Sequence, residues 1–320
     1  MNGSCNKKKV AFCGVWHVHA YEYCLAAKEH AEIIGVYERD PERRAAFCAQ
    51  HSLKELKTFD ELLECGADGV IVCSSTADHT EDIIRLAEAK KDIFTEKVLS
   101  IGTEDAERIR DAVLKSGVKF VISLIRKYDS RPLTVKKIAE SGELGKINYF
   151  RFRNCHNGSC NHWLPPHFYK KDECGGGALI DLGAHGMYLT DWIMGMPDSY
   201  AASLGYCYPT EVEDNAVCVM GYKNGAAAVN ETSFVSNCCP PTLELGGEKG
   251  YVCYVGDGPV IKNTVSTDYK PVEEELCKAL PRPIIQFLTD DIRPGCGIDD
   301  AVRLTKMMCQ AYKNSDEGRK

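Results

Sequence analysis

Short apolar runs separated by amphipathic stretches fill the first third of the chain. They stand at residues 10–13, 33–37, 70–73, 93–95 and 118–122, and the segments between them carry apolar residues at helical spacing. The boundary residues agree. Asp40 before Pro41 makes an N-cap with proline at the first helical position, Thr58 with Glu61 makes a capping box, and Gly66 and Gly117 stand where helices should stop. Strands joined by helices of this length cross over right-handedly into a parallel sheet, so residues 7 to about 122 are predicted to form a doubly wound Rossmann domain.

Beyond residue 123 the period changes. A helical stretch at 133–140 ends at Ser141 and Gly142, and Ile147, Tyr149 and Arg151 then alternate with Phe150 and Phe152 as in a strand. Further strands are predicted at 199–208, 215–223, 226–235 and 241–255, with turns at Gly225 and at 246–250. Strands in succession with short turns give a large open, mostly antiparallel sheet. The last element, 298–312, aligns Ile298, Ala301, Leu304, Met308 and Ala311 on one face, as a docking helix does. The predicted fold class is α/β: a Rossmann domain over 1–122, then an α+β domain over 123–320 for substrate binding and oligomerisation, with the terminal helix docking back.

Composition narrows the function classes. With 320 residues, 44% hydrophobic and 27% charged, the chain reads as a globular protein of about two domains. A net charge of −7 speaks against a nucleic-acid partner, and the one dense basic run, Lys7 to Lys9, reads as a solubilising tail. No apolar stretch approaches the ~18 residues of a membrane span, and no leader pattern precedes the first strand. The 17 cysteines are odd in number and lack a CxxC pair, which fits reduced thiols and a cytoplasmic location.

Several segments carry candidate chemistry. VAFCGVWHVHAYEY, residues 10–23, runs from strand to glycine to helix as a GxGxxG fingerprint does, yet only Gly14 keeps its glycine; Trp16 and His19 fill the other two places. Glu38 ends the second strand, where an acidic residue accepts from the ribose hydroxyls and repels a 2′-phosphate, which favours NAD over NADP; Arg39 softens that preference. A solvated turn is the alternative reading of Glu38, Arg39 and Asp40.

In residues 175–195, Asp181 and His185 stand four apart, on one face of a predicted helix, a spacing suited to a carboxylate that orients a proton-transferring imidazole. A buried structural pair has the same spacing. Lys97 follows a predicted parallel strand, where open α/β sheets bind ligands and an ammonium polarises a carbonyl; an exposed loop lysine is the plainer reading. Cys155, His156, Cys160 and His162 have zinc-binding atom types, but their spacing matches no usual structural zinc pattern. His17 and His19, two apart, fall on different faces if helical, so no metal site is predicted.

Together these segments resemble the Gfo/Idh/MocA oxidoreductases, NAD(P)-dependent enzymes that act mostly on sugars, polyols and their derivatives. Thr95-Glu96-Lys97-Val98 resembles the EKP motif, Gly176 to His185 the GGxxxDxGxH helix, and Cys73 to His79 the TPxxxH strand end, with Ser74 and Ser75 in place of Thr-Pro. Ser141 to Gly145, Glu213-Asp214-Asn215 and the terminal helix fall in family order.

The resemblance implies catalysis by Lys97, Asp181 and His185. His185 would exchange the proton of the reacting hydroxyl, Lys97 would bind its oxygen, and Asp181 would orient both. It also implies cofactor contacts by Gly14, Trp16, His17, Glu38, Arg39, Ser74, Ser75, His79 and Glu96, with the turn's backbone amides presented to the pyrophosphate. Substrate contacts are expected from Lys97, Arg126, Tyr128, His156, His162, Trp163, Asp181 and His185, with a plain connecting loop as the other reading of His156 to Trp163. Val98 stands where the motif has proline, and a non-proline cis peptide costs roughly 2.5–4 kcal/mol, which argues against a cis bond there.

The expected function is NAD-dependent hydride transfer at a hydroxyl or keto carbon of a sugar, polyol or glycoside, by a homodimer or homotetramer. Two alternatives share these residues: an NAD-dependent glycoside hydrolase that cycles its cofactor, and a non-catalytic nucleotide- or sugar-sensing protein.

Overall fold

The computed structural model describes residues 7–272 and 278–316, and the chain divides into two compact units. The first comprises the residues up to Ser123 together with Pro281–Val302, and the second comprises Leu124–Leu280 together with the residues from Arg303 onward.

The first unit holds a six-stranded sheet of β1 (Lys9–Cys13), β2 (Glu32–Tyr37), β3 (Glu55–Leu56), β4 (Gly69–Val72), β5 (Asp92–Thr95) and β6 (Phe120–Ile122). Every pairing is parallel and the order is β3-β2-β1-β4-β5-β6, that of a doubly wound dinucleotide-binding sheet. Val10 to Cys13 and Val70 to Val72 have no exposed surface, as expected where helices cover both faces of a parallel sheet. The connecting helices are α1 (Ala20–His30), α2 (Pro41–His51), α3 (Phe59–Glu64), α4 (His79–Glu88) and α5 (Thr103–Ser116). Asp40 accepts from the Glu42 and Arg43 amides at the start of α2, and Gly117 ends α5 in the left-handed region. At α3 the box is incomplete: Thr58 accepts from the Glu61 amide, but Glu61 returns to the amide of Lys57.

The second unit opens with α6 (Ser130–Ser141) and β7 (Ile147–Cys155), then α7 (Lys171–Cys174), α8 (Ala184–Met194) and the strands β8 (Ser199–Gly205), β9 (Asn215–Gly221), β10 (Ala227–Ser233), β11 (Thr242–Gly247), β12 (Gly250–Val255), β13 (Ile261–Thr264) and β14 (Thr267–Pro271). Its eight strands run in the order β14-β13-β12-β11-β7-β10-β9-β8. All neighbours are antiparallel except β7 and β10, which run parallel, so the sheet is mixed.

The chain then forms α9 (Pro283–Thr289), which belongs to the first unit, and α10 (Ile298–Lys313). Phe287 of α9 lies 5.9 Å from Phe94, and Lys8 Nζ stands 4.3 Å above the Phe287 ring. This corrects the reading of Lys7 to Lys9 as a tail. Lys9 is in β1, and the Lys8 ammonium pairs with Asp92 at 3.0 Å and Asp290 at 2.8 Å, because a lysine beside a strand edge buries its stem while its head meets carboxylates.

Candidate active site

The carboxyl ends of β1, β2, β4 and β5 bring together the residues expected to hold a cofactor. Gly14 ends β1 at φ +81°, and a β-carbon there would overlap the backbone of Ser74, so the turn requires glycine on both counts. Its amide donates to Tyr37 O at 2.7 Å. Glu38 is buried; its carboxylate accepts from the Val15 amide at 2.8 Å and the Asp40 amide at 3.0 Å, tying the ends of β1 and β2 together. Arg39 makes a two-pronged pair with Asp82 at 2.6 and 3.0 Å. Ser74 donates to the same Asp82 at 2.7 Å and Ser75 to Asp78 at 2.7 Å. The guanidinium expected to soften the NAD preference is thus committed to neighbouring carboxylates.

The turn itself differs from expectation. Trp16 and His17 are buried, and their amides donate to Cys73 O at 3.0 and 3.1 Å rather than pointing outward. With bulky side chains in place of two glycines, the turn folds back on the end of β4. His17 and His19 precede the first residue of α1, so the helix-face argument that separated them does not apply; their rings lie 4.6 Å apart.

His19 Nδ1 is 2.9 Å from Glu96 Oε1, and the hydroxyl of Tyr23 bonds that oxygen and Ser123 Oγ. Glu96 Oε2 accepts from the Lys97 amide at 3.0 Å. Burial opposes charge on Glu96, but the imidazoles of His17 and His19 and the Lys97 ammonium hold its carboxyl well below the usual range. Lys97 is itself buried.

The Lys97-Val98 peptide is cis, against the expectation drawn from the missing proline. Both sides of it are engaged: the Lys97 amide on Glu96 and the Val98 carbonyl on His79 Nδ1 at 3.0 Å. His79 Nε2 is buried without a hydrogen-bond partner, and burial lowers the pKa of the ring. A glycine cradle, a buried acid at the end of β2 and this orphaned polar atom after β4 fit the adenosine side of a bound NAD.

In the second unit, Asp181 lies in a π-helical turn, Leu179–Gly183, that leads into α8, which carries His185. Such turns are frequent at functional sites. His185 is buried, and its Nδ1 is 2.7 Å from the hydroxyl of Tyr188, which also accepts from the Arg126 amide at 3.0 Å. Burial raises the pKa of Tyr188, keeping it a hydroxyl that fixes the imidazole's orientation.

Glu213 holds the start of this helix. It accepts from the Gly177 amide at 3.0 Å, the Leu179 amide at 2.9 Å and the Tyr312 hydroxyl at 2.7 Å. Asn230 donates to Gly183 O at 2.7 Å, and a β-carbon on Gly186 would overlap its side chain. Tyr188, three residues beyond His185, was open to a search at helical spacing. Asn230 and the role of Glu213 were not, since both reach the helix from distant strands or turns.

The remaining substrate candidates divide. His156 stacks on Phe234 at 4.9 Å and accepts from the Gly158 amide, so it shapes the loop after β7, while Trp163 is half exposed and His162 exposed. Tyr128 is buried, and Arg126 Nη1 pairs with Asp129 at 3.2 Å.

A Rossmann sheet of this order with an acid ending β2, followed by an eight-stranded mixed sheet bearing an Asp–His helix, defines a two-unit, dehydrogenase-type α/β protein. Residues 8–124 match the model described as an oxidoreductase family with an NAD-binding Rossmann fold, and residues 133–253 match the GFO/IDH/MocA C-terminal domain. The chain belongs to the Gfo/Idh/MocA family.

Among curated relatives, myo-inositol 2-dehydrogenase of Thermotoga maritima is 31% identical over 56% of this chain and 54% of that protein. The chain thus spans little more than half the length of that relative. Glucose-6-phosphate 3-dehydrogenase of Bacillus subtilis is 25% identical over 76% of this chain and 73% of its own. The solved WlbA dehydrogenase of Bordetella pertussis, in complex with NADH and UDP-GlcNAcA, shares the fold with a TM-score of 0.81 at 20% identity, covering 98% and 97% of the two chains.

Proposed function

We propose that the protein is an NAD-dependent oxidoreductase of a sugar or polyol, acting at a hydroxyl or keto carbon. The observation that carries this reading is the buried Glu96-Lys97 pair at the end of β5, in a chain that belongs to a family of oxidoreductases. Gly14, Glu38, Ser74, Ser75 and His79 are assigned to the cofactor, with Trp16, His17, Arg39 and Glu96 shaping the turn around it. Bound NAD supplies the hydride acceptor.

Lys97 binds the reacting oxygen and stabilises negative charge as it develops. His185, with Nδ1 held by Tyr188, takes the hydroxyl proton through its other ring nitrogen. Asp181 orients substrate and imidazole. Arg126, Tyr128, His162 and Trp163 line the substrate, Trp163 offering an exposed ring face for a sugar and His156 shaping the loop that carries it. Commitment of Arg39 to Asp82 supports NAD over NADP.

The names of the relatives, an inositol and a hexose-phosphate dehydrogenase, support net oxidation over cofactor-cycling hydrolysis. We place the protein in the cytoplasm as a homodimer or homotetramer. The odd count of 17 cysteines without a CxxC pair supports the first assignment, and the exposed Val217 and Val219 of β9 support the second. Among those residues no helix is long and apolar enough to cross a membrane.

The test is to incubate the purified protein with NAD and a panel of inositols, aldoses and aryl glycosides, following nicotinamide absorbance and aglycone release together. NADH formation in step with substrate loss is expected, with Lys97→Met and His185→Ala each slowing it roughly 100- to 10,000-fold. Aglycone release without NADH, or saturable binding without turnover, contradicts the reading.

A further inference from the structure

The turn between β1 and α1 places two imidazoles and one carboxylate around a single point. One ligand atom each from His17, His19 and Glu96 lies within 4.8 Å of the others, and His19 Nδ1 and Glu96 Oε1 are 2.9 Å apart. Two ligands on a tetrahedral ion with bonds near 2.0–2.1 Å stand ~3.3 Å apart, so the donors are within about 1.5 Å of the separations such an ion needs. We propose that His17, His19 and Glu96 form a binding site for a divalent first-row transition-metal ion. The site lies wholly within the first unit and stands whether or not the chain binds NAD.

The donor set carries the choice of ion. Two imidazoles with one carboxylate suit zinc, iron(II), cobalt(II) and their neighbours, whereas magnesium and calcium take oxygen ligands. The supporting groups are those that metal carboxylates keep. The Tyr23 hydroxyl bonds Glu96 Oε1 and is itself 2.7 Å from Ser123 Oγ, and the Lys97 amide donates to Oε2. An entry path is present, since the His19 side chain is 32% exposed while that of Glu96 is 1% exposed. A metal ion takes the place of the proton that His19 and Glu96 share.

Three protein ligands leave at least one position for water or for an oxygen of a bound molecule. The presence of His19 at a place that usually needs a small residue then has a chemical account. The turn gains a cation at the carboxyl end of the sheet, where its own amides have folded back onto Cys73.

The experiment uses the full chain, stripped with chelator and dialysed against micromolar Zn²⁺, with Co²⁺ absorption reporting the ligand field. About one zinc per chain is expected, with a Co²⁺ spectrum of nitrogen and oxygen ligation. His19→Gln and Glu96→Gln should each weaken zinc binding by roughly 100-fold or more, circular dichroism confirming that each variant is folded. His19 is partly exposed, so its variant serves if Glu96→Gln does not fold. A folded wild type that retains no zinc, or a His19→Gln variant that binds as tightly as wild type with a thiolate-type Co²⁺ spectrum, overturns the proposal.

Discussion

At the scale of single residues, the turn GVWHVHA owes its shape to Gly14 and its departure from the usual fingerprint to Trp16 and His19. Gly14 meets Ser74 with no room for a β-carbon and sits at φ +81°. The Gly14→Ala variant should therefore lose about 1–3 kcal/mol from the left-handed backbone alone, with a further loss from displacing β4, read as a lower urea midpoint at unchanged slope. An unchanged midpoint would show that the turn tolerates a side chain. The places of Gly14, Glu38 and Lys97 beyond strand ends and of Asp181 and His185 in a helical segment were legible in the sequence, because each stands at a fixed offset from a strand or helix signal. The bonds of Arg39 and Ser74 to Asp82, and the meeting of His17 and His19 on Glu96, were not. They depend on where β1, β2, β4 and β5 end relative to one another, which no local pattern specifies.

At the scale of elements, the strands of both sheets were read from their period, while β3, β13 and β14 escaped. β3 has two residues, and β13 (Ile261–Thr264) has no fully buried position to create an alternating pattern. The π-helical turn before α8 likewise has no local signature. It forms where Glu213 takes the Gly177 and Leu179 amides and Asn230 takes the Gly183 carbonyl, contacts that come from far along the chain.

Glu213 gives this element a pH signature. Burial raises its pKa despite the hydrogen bonds it accepts. A carboxyl raised in the folded state contributes stability that is full below its unfolded pKa and is lost as pH rises through the folded value. The melting temperature of wild type relative to Glu213→Gln should thus fall as pH rises through and above the ordinary glutamate range. A relative gain over the same range would show that its hydrogen bonds, not its burial, set the balance.

At the scale of the whole molecule, the chain is a member of an oxidoreductase family whose Rossmann unit is complete in strand order and departs from the glycine fingerprint in the turn after β1. The central claim is that this modified turn still serves a hydride transfer rather than a sensing role. The most direct measurement is to supply NAD with carbinol-deuterated polyols and sugars and analyse the nicotinamide product by mass spectrometry. Direct transfer predicts NADH carrying one deuterium per molecule formed, a slowed rate relative to unlabelled substrate, and loss of both signals in His185→Ala. Folded protein that binds these compounds without labelling NADH, or that forms NADH free of deuterium, would contradict it.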